Sequence, residues 1–164
     1  MTKVGRTITF DKPSPFVGVR PDHGGMNQLG AYASQYLVAA LAFVAIDVVW
    51  LGTIAASLYK RHLGDLLAEE PNMAAAVAFY ALFLSGLVYF VIHPAIADGS
   101  WMRALFAGAF FGLVTYATFD LTNLAVLRGW PFSIVPIDMA WGTFLAGSVS
   151  LVTYLVAQLI PVLR

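Results

Sequence analysis

The sequence predicts an all-α polytopic membrane protein, a bundle of four transmembrane helices behind an irregular N-terminal arm, and three observations predict it. Four apolar runs, Tyr36 to Leu58, Met73 to Ile92, Ala104 to Leu127 and Met139 to Ile160, each meet the roughly 20 residues that a helical span needs. Hydrophobic residues make up 60% of the chain and charged residues 11%, against about 45–50% and about 25% in soluble domains. Only two charged side chains, Asp47 and Asp120, fall inside the runs. A soluble fold of this size has no interior large enough for that apolar surface, whereas a bilayer has. Helices are expected rather than strands because lipid offers no partner for backbone amides.

Residues 1–30 form the predicted arm and residues 31–164 the membrane domain. Pro13, Pro15, Pro21 and the pair Gly24-Gly25 break any helical period in the arm. Lys3, Arg6, Lys12 and Arg20 outnumber Asp11 and Asp22, so the arm is mildly basic. The first apolar run is too long and too far from Met1 for a cleavable signal, and is read as an uncleaved anchor. The connections are short. Lys60 to Asn72 is expected to hold a short interfacial helix. His93 to Arg103 carries Pro94, and Arg128 to Pro136 carries Gly129 and Pro131. Trp101, Trp130 and Trp141 fall near run ends, where aromatic belts sit. Near the spans, Arg20, Arg103 and Arg164 on one side balance Lys60, Arg61 and Arg128 on the other. The distal Lys3, Arg6 and Lys12 tip the expectation to an N-terminus inside.

Zero net charge gives no electrostatic case for nucleic acid. The lack of cysteine removes thiol chemistry and thiolate metal sites. His62 and His93 fall on opposite sides of the membrane and His23 in the arm, so no metal or cofactor is implied. No serine sits in a nucleophile motif. An enzymatic role therefore ranks last.

The acids carry the strongest signal. A carboxyl at a helix centre costs roughly 2.5–3.5 kcal/mol on insertion scales and is functional by default. Asp47 lies roughly 17 Å from the end of its run and Asp120 roughly 10 Å from its own. Tyr116, Asp120 and Asn123, spaced i, i+4, i+7, put phenol, carboxyl and amide on one face, which must look into the bundle. Thr118 and Thr122 are expected to bond back to their own helix. With no Lys or Arg inside any run, such a carboxyl must be protonated, hydrogen-bonded to Tyr116, Asn123, a Thr or a Trp, or reached by water. A structural clasp between helices is the competing role for Asp47. Asp138, following Pro136, is expected to cap the fourth helix at the positive end of its dipole. Trp50 follows Asp47 by three residues and Trp141 follows Asp138 by three. That likeness is short and is read as coincidence. Gly108 and Gly112 form a GxxxG, a face for close helix packing inside the bundle or against another subunit.

The strings Asp47-Val48-Val49-Trp50-Leu51-Gly52, Tyr59-Lys60-Arg61-His62-Leu63-Gly64, Tyr116 to Leu124 (YATFDLTNL), Arg128-Gly129-Trp130-Pro131 and Asp138-Met139-Ala140-Trp141-Gly142-Thr143 together resemble an uncharacterised bacterial family of small four-helix membrane proteins. The resemblance runs from about residue 31 to the C-terminus. It implies four spans in a bacterial-type inner (cytoplasmic) membrane and transfers no activity. Family members begin near the first helix, so the arm is where a specialised role of this chain would be written.

Two function classes are open to such a chain. One is a non-catalytic accessory subunit of a larger membrane complex, docking through residues 1–30 and the small-residue helix faces. The other is a small transporter, or a proton- or lipid-handling protein, using Asp47, Trp50, Tyr116, Asp120 and Asn123 as an interior polar site. The first predicts that deleting residues 1–28 abolishes association with other subunits while the bundle still inserts. Native purification of both forms checks it, and identical co-purifying partners would refute it.

Overall fold

The computed structural model describes residues 24–160 and Leu163, with residues 24–27 and 65 described by their backbone alone. Every regular element among the described residues is helical. Four helices are long and apolar enough to cross a membrane. The first span comprises α1 (Gly24–Trp50), a π-helical turn (Leu51–Ala55) and α2 (Ala56–Leu63). The second comprises α3 (Met73–Leu87), a second π-helical turn (Val88–Ile92) and α4 (His93–Ala97). The third is α5 (Trp101–Val126) and the fourth α6 (Val135–Leu159).

The first helix departs from the sequence expectation at both ends. It starts at Gly24, inside the segment read as irregular, because a glycine in a helix costs only about 1 kcal/mol and terminal turns tolerate it. It also runs on through Leu63, so no separate interfacial helix forms; a single 3₁₀ turn, Gly64–Leu66, comes next. Pro94 does not end the second span. Proline lacks an N–H and crowds the carbonyl four residues back. The π turn directly ahead of it, where His93 N–H reaches Val88 O, widens the helix at that point. Asn72 and Ser100 start the second and third spans, accepting bonds from Ala75 N (3.1 Å) and Arg103 N (3.2 Å). The remainder of the predicted arm lies outside the described residues.

Large apolar side chains coat the outside: Leu82 is 75% exposed, Phe110 66% and Leu159 81%. An aqueous surface would not carry them, and a bilayer accepts them. The interior holds one main apolar cluster, including Phe43, Leu87, Ile92, Leu145 and Val149, and a smaller one around Leu58, Ile134 and Val135. At the end of the bundle nearer Gly24, Gln35 is fully buried. Its amide donates to Leu163 O at 2.7 Å and meets His93 Nδ1 at 3.2 Å, tying the first span, the second span and the C-terminal segment together.

The closest helix pair is α5 with α6. Gly108 and Gly112 face α6 and leave room for its backbone. A Cβ on Gly108 would lie 2.6 Å from Ser150 Oγ and 2.8 Å from Ala146 O, and one on Gly112 would strike Gly142 O. The GxxxG face is thus filled within the chain. Gly147 is looser: its Cβ would meet Ala109 Cβ at 3.3 Å. We expect Gly112→Ala to destabilise the bundle by about 1–3 kcal/mol, the usual cost of overpacking, and Gly147→Ala to change it little. Equilibrium unfolding in mixed detergent micelles measures both; equal effects would contradict this packing.

Candidate functional site

The inward stripe of α1 repeats every fourth residue: Ala31, Gln35, Ala39, Phe43 and Asp47 are buried, and their neighbours largely face outward. Asp47 therefore enters the bundle as the last member of an otherwise mostly apolar ridge. Its Oδ2 accepts from the Tyr80 hydroxyl of α3 at 3.3 Å, and the Trp141 indole of α6 lies within reach. One turn further along, the Trp50 ring stacks on Trp141 with centroids 4.3 Å apart and planes within 8°. The two Asp-x-x-Trp strings thus meet face to face across the α1–α6 contact.

Past Trp50 the π turn adds a residue to the helix, re-aiming the residues of α2 by about 100° relative to an unbroken α-helix. Thr53 Oγ1 bonds back to Val49 O at 2.6 Å within this turn. Beyond it, Tyr59 on α2 donates its hydroxyl to Asp138 Oδ1 at 2.6 Å. The side-chain cap expected of Asp138 does not form, although the acid does lie in the first turn of α6, at the positive end of its dipole. The residue is buried, but the cap position is Ile134 and no side chain caps there. Asp138 sits too far into the helix to reach the leading amides, and its carboxyl joins the interior instead.

Asp120 and Tyr116 come from α5. Thr115, Thr118 and Thr122 bond back to carbonyls of their own helix, leaving the other face for the bundle. Asp120 is fully buried, and neither of its oxygens has a hydrogen-bond partner. The Trp130 indole lies beside it without closing a bond of good geometry. Tyr116 lies among the acids, within interaction range of Asp47, Tyr80, Asp138 and Asp120. Its ring rests against Gly142, in the space a Cβ there would take. Asn123 is half-buried on the same helix.

The structure thus brings Asp47, Trp50, Tyr116 and Asp120 together and adds Asp138. Sequence reasoning missed Tyr59, Tyr80 and Trp130 as partners. The available signal was a phenol or indole within reach of the acids: Tyr59 stands in one of the strings that carry the family resemblance, and Tyr80 is a polar tip deep in an otherwise apolar run. Between Asp47 and Gln35 the inward positions of α1 are Phe43 and Ala39. The acids therefore occupy one half of the membrane domain, and mainly apolar packing, with Gln35, Ser150 and Thr153 buried in it, closes the other. Among the described residues no group of His, Asp and Glu is arranged to hold a metal ion.

A cavity of about 430 Å³ reaches this cluster, lined by Tyr59, Tyr116 and Asp138 on its polar side and by Phe79, Thr115 and Phe119 toward the second and third spans. These two spans touch at Phe83 and Phe111, ring centroids 5.6 Å apart. Beyond that contact α3 stands off from α5, and Phe79 and Phe119 are about half exposed. A second, larger groove of about 700 Å³ shares Phe79 and Thr115 and runs on past Leu82, Gly86 and Phe90.

A family profile described as a predicted membrane protein, DUF2177, matches residues 32–155, which take in the second and third spans whole, most of the first and fourth, and every acid of the cluster. The chain belongs to this DUF2177 family. No curated protein and no solved structure matches it. DUF2177 is a membrane protein family of unknown function, so for this member the chemistry must be read from the site itself.

The site separates two kinds of buried acid. Asp138 holds a helix–helix hydrogen bond, and its replacement by Leu strands the Tyr59 hydroxyl, which we expect to cost about 1–3 kcal/mol. Asp120 holds none, so Asp120→Asn should leave stability unchanged or raise it. Unfolding measurements on the two variants check this; an Asp120→Asn loss as large as that of Asp138→Leu would mean that Asp120 clasps the bundle.

Proposed function

We propose that this chain binds a membrane amphiphile, with the polar head in the cavity beside Tyr59, Tyr116 and Asp138 and the apolar tail in the groove between the second and third spans. The observation that carries this reading is that the two spaces adjoin, sharing Phe79 and Thr115 in their walls. A polar pocket of this size lies within the range of small-ligand sites, roughly 300–1,000 Å³. Its open flank faces lipid, so a ligand already dissolved in the bilayer needs no passage through water. The packed Ala39 and Phe43 below Asp47 favour a one-sided binding site over a conduit through the membrane.

The accessory-subunit reading keeps only residues 1–30 as its docking element, since the Gly108 and Gly112 face is taken by α6. The proposal carries with it a bacterial-type inner membrane and, from Lys3, Arg6 and Lys12, a cytoplasmic N-terminus.

Thr115 stands where the cavity meets the groove, and Thr115→Trp should fill that junction. The expected outcome is that the native chain, extracted from its own membrane and washed in detergent, retains a defined amphiphile by mass spectrometry, and that the variant loses it. Identical retained molecules in both would refute the reading.

A further inference from the structure

The polar end of the cavity has a composition that selects among amphiphiles. Its walls include the rings of Tyr59, Tyr116, Phe119 and Trp130, and its one charged lining residue is Asp138. The Phe119 and Trp130 rings meet edge to face with centroids 5.6 Å apart, forming one corner. Asp120 and Asp47 lie within interaction range of Tyr116. Among the described residues no Lys, Arg or His lines the space. Arg61 is exposed and its Nε donates to Ser57 O at 3.1 Å, within its own helix. Aromatic faces around a carboxylate, with no cation of their own, are the surroundings in which an ammonium group is held, by the negative ring faces and by the acid together. A phosphate or carboxylate head would face the Asp138 carboxyl with no cation to offset it, and would find only the phenol and Trp130 indole hydrogens as donors.

Building on the amphiphile-binding reading above, we propose that the ligand is a long-chain amine or alkylammonium, a cationic amphiphile with no anionic group next to its head. It enters sideways from the bilayer between Phe79 and Phe119. Its ammonium sits among Tyr59, Tyr116, Phe119 and Trp130 with Asp138 as counter-charge, and its chain occupies the groove past Phe79. The cation supplies the positive charge that carboxyls gathered in hydrocarbon lack.

The test uses the full chain in nanodiscs of digalactosyl diacylglycerol, a neutral bilayer lipid, with radiolabelled dodecyltrimethylammonium counted against empty nanodiscs. Saturable binding is expected, displaced by the unlabelled cation but not by dodecyl maltoside, which has the same chain, nor by tetramethylammonium, which has the head alone. Asp138→Asn and, separately, Phe119→Leu should each weaken binding by about tenfold. Phe119 is exposed to lipid, so its variant serves if Asp138→Asn does not fold. Equal displacement by dodecyl maltoside would overturn the ammonium assignment and leave amphiphile binding standing. Equal displacement by tetramethylammonium would overturn the membrane source of the ligand. Unchanged binding in both variants would overturn the cage, and no saturable binding of either dodecyl compound would overturn the cage and the amphiphile reading together.

Discussion

The site depends on one close approach. The Tyr116 ring lies on α6 where Gly142 has no side chain, and Gly112 one turn away admits the Gly142 carbonyl in the same manner. Any Cβ at these positions would push α5 and α6 apart. Because they close, the phenol of α5 is delivered among carboxyls carried by α1, α5 and α6. In lipid no water can do that work, so packing and polar chemistry are one constraint: the small residues decide where the acids can meet.

That constraint explains the asymmetry of the bundle. Where α5 and α6 seal against each other and against α1, the interior is tight and mainly apolar, through Ala39, Phe43, Leu145 and Val149, with Ser150 enclosed among them. Toward the end of the bundle that holds the last turn of α2 and the loop of Trp130, the second span leans away and aromatic side chains take over. Tyr59, Phe79, Phe119 and Trp130 are rigid and amphipathic or apolar, and they bound a cavity without filling it. The π turn after Trp50 belongs to the same design, because it redirects α2 so that Tyr59 meets Asp138. Such turns are rare in helices and recur at functional sites.

Much of this was legible from residue type and spacing. The apolar runs and sparse charge announce four helices, and the family profile falls on the same stretch. The helical period places Tyr116 and Asp120 on one face, and the lack of cations inside the runs forces the acids inward. What stayed illegible lies where helix geometry departs from the regular α period. Asp47 and Tyr59 cannot be related by simple counting, because a π turn intervenes. Asp138 looks like a cap beside Pro136, yet a buried phenol from another span claims it. The meeting of Trp50 with Trp141 requires the relative depth of two antiparallel helices, which a short string likeness does not supply. The helix through Pro94 is hidden for the same reason, since the widening that accommodates it has no sequence period of its own.

The central claim is that a carboxyl group buried within a transmembrane bundle, that of Asp138, remains reachable from the hydrocarbon. A benzophenone-bearing amino acid at the position of Tyr59, photoactivated in native membranes, probes this most directly, because that position faces the bundle and not the lipid coat. Adducts to a small amphiphile, found by mass spectrometry of the tryptic peptide, are the predicted result. Crosslinks to this chain's own helices alone would contradict it.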